Sequence, residues 1–135
     1  MGDRTAPVRG RWLVMALVLA GWGGAMSGAA ADTADPVDRW QQLVRGNVAR
    51  FVCDAAPRDA RRQVNFAYAL SDARLLAIAA LARRANAPAS DPGVLADLDR
   101  RRAEQDKAAR DAVAQRGCRD PQIIDLIGVA DRASN

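Results

Sequence analysis

The chain has 135 residues, of which 50% are hydrophobic, 27% charged and only 4% aromatic, a mixture that excludes disordered, collagen-like and multi-span membrane proteins and leaves room for one small domain. Histidine is absent and there are two cysteines, which excludes Cys/His zinc sites, His-ligated metals and Ser-His or Cys-His nucleophile pairs. The formal net charge is +4, with nineteen arginines to one lysine, so any arginine constellation is easily assembled by chance.

Residues 1–31 have the form of a signal peptide: basic Arg4, Arg9 and Arg11, an apolar run from Trp12 to Ala20, and small residues ending in Ala29-Ala30-Ala31. Cleavage is expected after Ala31. The uncharged stretch from Trp12 to Ala31 has the length of a membrane span, so an uncleaved anchor is the competing reading. No cysteine lies near the cleavage site and no Arg-Arg pair precedes it, which favours the general bacterial secretory route to a periplasmic or secreted product with no stable membrane insertion after cleavage. The remaining 104 residues hold 17 basic and 15 acidic side chains, a net charge of +2. The basic character therefore belongs mostly to the precursor and gives little support to nucleic-acid binding. Both Cys53 and Cys118 lie in the mature part, and in an oxidising compartment an isolated pair predicts one disulfide.

After a polar leader at 32–36, Val37, Trp40, Val44, Val48, Phe51 and Ala55 recur at three- and four-residue spacing, which predicts an amphipathic helix over 37–55. Pro57 predicts a turn near 56–58, with a kink inside one long helix as the alternative. Residues 58–86 contain no Gly or Pro and form the second helix, stopped by Asn86, Pro88, Ser90 and Pro92. Asp91 with Pro92 opens a third helix that ends at Gly117, its stripe being Val94, Leu98, Ala109 and Ala112. A short last helix over 121–132 carries Ile123, Ile124, Leu126 and Ile127, best used in covering the end of the bundle, and 133–135 form a tail. With turns at Pro57 and at 87–91 the first helix runs up, the second down and the third up, which places both cysteines at one end. The predicted fold is all-α: a small antiparallel bundle of three long helices plus a short C-terminal helix, one disulfide, and a single domain over 37–132.

Polar residues on faces that should be buried are the candidates for function. Projection at about 100° per residue aligns Gln63, Ala67, Leu70, Arg74, Ile78 and Leu81 on the second helix, with Arg74 interrupting the apolar line and Asp72, Asn65 and Arg61 opposite. Asn47 lies on the first helix's stripe with Arg50 at its flank, and Gln105 and Arg102 lie on the facing stripe of the third. Asn47, Arg50, Arg74, Arg102 and Gln105 thus form a candidate anion pocket, because guanidinium groups recognise carboxylate or phosphate in a bidentate manner. Around Arg100-Arg101-Arg102 the acids Asp97, Asp99, Glu104 and Asp106 predict a solvated ion-paired face, with spacings such as Asp99 to Arg102 and Asp106 to Arg110. No aromatic lies there for base stacking, so no nucleic-acid partner is expected. No metal or cofactor is implied.

From Trp40 to about Arg110 the chain places Leu43-Val44 ahead of Arg50, a basic residue eleven positions later at Arg61, then Asp72 and Arg74, then Asp91-Pro92, with Glu104 and Lys107 following. In this arrangement it resembles the secreted all-helical chorismate mutases. The resemblance implies a pericyclic rearrangement that needs preorganised charge and no proton transfer. It implies Arg50 and Arg74 on the substrate carboxylates and Arg61, in place of the family's lysine, on the ether oxygen. It also implies a first helix continuous through Pro57 to about Leu70, and it departs from the family at Arg110, where a Gln or Glu is usual. Two functions follow: from the residues, a non-catalytic exported module that binds a protein partner or small anion; from the resemblance, a mutase-like enzyme with an Arg-lined dicarboxylate pocket.

Overall fold

Each of the four helices opens on an aspartate whose carboxylate accepts from backbone N–H groups of the first turn: Asp35, Asp59, Asp91 and Asp120. Three of the four follow it with proline, at Pro36, Pro92 and Pro121, where the missing N–H costs nothing. These caps delimit α1 (Pro36–Val52), α2 (Ala60–Ala85), α3 (Pro92–Arg116) and α4 (Pro121–Ala133) in a computed structural model that describes residues 34–135. The signal peptide expected over 1–31 lies outside the described residues. Among the described residues there is no strand, and the all-α bundle is as predicted.

The chain leaves α1 at Val52 and re-enters helix at Ala60, so it breaks before Pro57 and does not continue as the mutase resemblance requires. The stop is a Schellman arrangement. Ala55 N–H donates to the Arg50 carbonyl, Asp54 N–H donates to that of Phe51, and Asp54 takes the left-handed conformation at φ 53°. The same pattern ends α2, where Asn86 at φ 52° is left-handed and Ala87 N–H donates to the Ala82 carbonyl. An ion pair between Arg84 and Asp35 joins the end of α2 to the start of α1. The Cys53–Cys118 disulfide joins the far end of α1 to the end of α3, which sets α1 and α3 in the same direction and α2 against them. Such a bond accords with an oxidising compartment.

In space α1 is the central helix, packed by the other three, although it is the shortest of the long ones. Its buried residues are Val37, Trp40, Leu43, Val44, Gly46, Val48, Ala49 and Arg50, which together leave few positions for solvent. Phe51 and Ala55 do not complete the predicted stripe: Phe51 is 75% exposed and Ala55 lies beyond the helix. Gly46 is required where α4 crosses. A Cβ there would stand 2.5 Å from the Leu126 carbonyl oxygen and 3.2 Å from the Ala130 nitrogen, both backbone atoms. Gly46→Ala is expected to lower stability by about 2 kcal/mol, measured by denaturant unfolding, because the two helices must move apart to admit the methyl group. A neutral result would mean that α4 is loosely docked.

The buried face of α2 is Phe66, Ala73, Ala77 and Ala80, flanked by Ile78 and Leu81. This face is turned by roughly 90° from the predicted line at about 100° per residue, so Gln63, Ala67 and Arg74 are exposed and Leu70 is half-buried. The cause is the alanines. Small residues let α2 approach α1 more closely than the larger aliphatics would, and close approach decides which side faces in. By length and composition alone α2 could cross a membrane, yet a third of its most apolar window is buried in the bundle. On α4, Ile123 is fully buried against Ala49 and Val113 near the disulfide end and Ile124 is exposed, while Leu126 and Ala130 lie against Gly46, so the helix docks along α1 as well as covering its end. The predicted tail is also part of the structure, since Ser134 is completely buried.

Candidate functional site

The five residues of the predicted anion pocket are distributed over four environments. Arg50 is 4% exposed, and its guanidinium is engaged within the bundle through Nε, Nη1 and its face. Nε donates to Asn47 Oδ1 at 3.1 Å, Nη1 donates to Ser134 Oγ at 2.9 Å, and the group lies 4.1 Å from the centroid of the Phe66 ring. Ser134 Oγ in turn donates to the Ala130 carbonyl, and Asn65 donates to the Ser134 carbonyl. Burial disfavours the Arg50 charge, the Asp131 carboxylate at 3.9 Å partly offsets this, and neighbouring Arg62 adds to the cost. Arginine nevertheless stays protonated. Arg50 therefore serves as a structural tie between α1, α2 and the end of α4. Asn65, placed by spacing opposite the predicted apolar line, is half-buried in this tie, next in sequence to the buried Phe66.

Arg74 is exposed on α2, as is Arg61 beside the Asp59 cap, and neither lines a cavity with Arg50. Gln105 faces inward from α3, where its carbonyl oxygen is buried without a hydrogen-bond partner. Asn47 and Arg102 do meet. They line a groove of about 140 Å³ between α1, α2 and α3, together with Val44, Val48, Phe51, Leu70, Asp106 and Arg110.

The groove is lined mostly by polar atoms, with a small apolar patch at its base. Val44 and Val48 are buried beneath it, Leu70 closes the α2 side and Phe51 stands at the edge. Residues 102, 106 and 110 follow one another at four-residue spacing on α3 and so lie on one side of it. Arg110 Nε donates to Asp106 Oδ1 at 2.6 Å, which neutralises that pair. Arg102 has no ion-pair partner among the described residues, so the predicted Asp99–Arg102 pair does not form. Asp97 holds Arg100 and Arg101, and Arg100 also holds Glu104, whereas Asp99 is exposed and holds no ion pair among the described residues. The hydrogen bond from Arg101, followed by that from Arg100, keeps the Asp97 carboxyl below the ordinary carboxylate range. Asn47 spends its carbonyl oxygen on Arg50, which leaves its amide N–H groups as the donors available to the groove. Phe51, Leu70, Asp106 and Arg110 were not part of the predicted pocket. The recurrence of 102, 106 and 110 was legible, whereas the exposure of Phe51 was not, because its spacing fits the buried stripe.

Among the described residues no cluster of Asp, Glu and Cys could hold a metal ion. Comparison with known families, characterised proteins and solved structures finds no match to this chain.

Proposed function

We propose that this is an exported, disulfide-stapled helical binding protein without catalytic activity, and that the groove between α1, α2 and α3 takes a small monocarboxylate. The observation that carries the reading is the composition of the groove, which is mostly polar: an unpaired guanidinium at Arg102 and the Asn47 amide beside a small apolar patch from Val44, Val48 and Leu70. A guanidinium binds a carboxylate through two parallel hydrogen bonds, and the small apolar patch takes only a short hydrocarbon body. With Asp106 cancelled by Arg110 the lining carries one net positive charge, which suits a monoanion and disfavours phosphate. The volume corresponds to roughly five water molecules, so the ligand is small. Export rests on the form of residues 1–31 together with the disulfide, and a product in the soluble periplasmic or secreted fraction beginning near Asp32 is the expected result.

Titration of the purified protein with isobutyrate, followed by NMR shifts of the Asn47 side-chain amide and Arg102 Nε–H, is expected to give a millimolar dissociation constant. Arg102→Ala is expected to weaken it at least about tenfold, in line with loss of a charge-assisted pair. Inorganic phosphate should shift these signals less. Unchanged binding by Arg102→Ala, or no shift at either group, would overturn the reading. The rival, a chorismate mutase-like enzyme, is separated by assaying chorismate: no turnover is expected, and turnover abolished by Arg74→Ala would replace the binding proposal with the enzyme.

A further inference from the structure

The outer face of α2 is apolar where a solvent face would be polar. Val64, Tyr68, Leu75 and Leu76 are each more than half exposed. At 100° per residue Val64, Tyr68 and Leu75 fall within an arc of roughly 40°, with Arg61, Asp72 and Ala79 alongside and Leu76 at the border. This arc lies away from the Phe66, Ala73 and Ala77 face that packs on the bundle. An apolar stripe of this extent, broken only by Ser71 and Asp72 between Tyr68 and Leu75, marks on a small domain a surface that is covered by something.

We propose that it is covered by the same face of a second copy, with the two α2 helices antiparallel about a two-fold axis near the point between Ala69 and Leu70. The placement of the residues about that point is the argument. Val64 and Leu75 lie at equal distances on either side of it and on the same flank of the helix, so the two-fold sets Val64 of each copy against Leu75 of the other. Tyr68 then comes level with residues 71 and 72 of the second copy. Asp72 is exposed and has no ion-pair partner among the described residues, so its carboxylate is an acceptor for the Tyr68 hydroxyl across the axis. An isologous contact must be self-complementary in this way, since whatever one copy offers the other must accept. The basic residues Arg83 and Arg84 lie beyond the paired region and are not brought against Arg61 or Arg62. Covering the face on both copies removes on the order of 1,000 Å² from water, near the lower limit for a specific interface, so the dimer is weak and reversible.

Sedimentation equilibrium of the purified, oxidised protein is the test. A monomer–dimer equilibrium with a dissociation constant of tens of micromolar is expected, in keeping with about 1,000 Å² of interface. Leu75→Asp, at an exposed position, should leave the helical circular dichroism and unfolding midpoint unchanged and raise the dissociation constant more than about tenfold, by placing a charge against Val64. Tyr68→Phe should raise it severalfold through loss of the hydroxyl bond alone. A monomer at millimolar concentration overturns the proposal, as does a dimer that Leu75→Asp does not weaken. Binding to phosphatidylglycerol vesicles that Leu75→Asp abolishes, with no dimer in solution, assigns the face to a membrane and overturns it too.

Discussion

Replacing both cysteines, as Cys53→Ser with Cys118→Ser, is expected to lower the stability of the folded domain by about 4 kcal/mol, the chain-entropy value for a loop of this length. The bond closes a separation of 65 residues and holds the ends of two parallel helices that are joined only through the whole of α2. Its effect is on the unfolded chain, which without it recovers the freedom of that loop. Domains of this size have total stabilities of about 5–15 kcal/mol, so the variant should sit near the edge of folding at 37 °C. Denaturant unfolding of the native and double-serine proteins measures the difference directly. A loss under about 1 kcal/mol would mean that the unfolded chain already keeps the two ends together.

Arg50→Ala is the second large effect, expected at about 3 kcal/mol from a buried cavity and orphaned polar partners. The substitution removes the hydrogen bonds to Asn47 and Ser134 and the contact with the Phe66 ring, and it opens space where α1, α2 and the end of α4 meet. Arg50→Met fills most of that space without the charge and is expected to cost about 1 kcal/mol, since replacing a buried charge by a hydrophobe of similar volume is nearly neutral. The pair of variants separates packing from charge. It also bears on function, because an Arg50 that bound a ligand carboxylate would be destabilising in the free protein, and its loss would then stabilise the fold. A stabilised Arg50→Ala protein would return Arg50 to the candidate ligand site and remove it from the structural tie.

The groove and the tie were only partly legible in the sequence, for a reason visible in particular residues. Asn47 and Arg102 were placed on facing stripes of α1 and α3 by spacing, and they do share the groove. Spacing alone puts Arg50 at the flank of that stripe, turned toward the same cleft. It turns instead toward α4, because Ser134, in a segment expected to be a tail, lies buried beside it. Arg74 was assigned to the core line of α2 because Leu70, Ile78 and Leu81 are the large aliphatics there. The alanines at 73, 77 and 80 decided the orientation, and Arg74 went to solvent.

The amino-acid sequence by itself determined the number and order of the helices, most of their limits and the end at which the cysteines meet, the exception being the end of α1, which stops at Val52 and not at Ala55. Those features depend on local chemistry: an aspartate that caps, a proline that follows it, an asparagine that accepts a left-handed turn, and two cysteines placed one after α1 and one after α3. Only the tertiary structure decided the rotation of each helix about its axis, and with it the solvent exposure of Phe51 and Tyr68, the burial of Arg50 and the membership of the groove. In an alanine-rich helix several faces are almost equally apolar, so the choice among them is made by how closely neighbouring backbones approach, a quantity summed over contacts far apart in the chain.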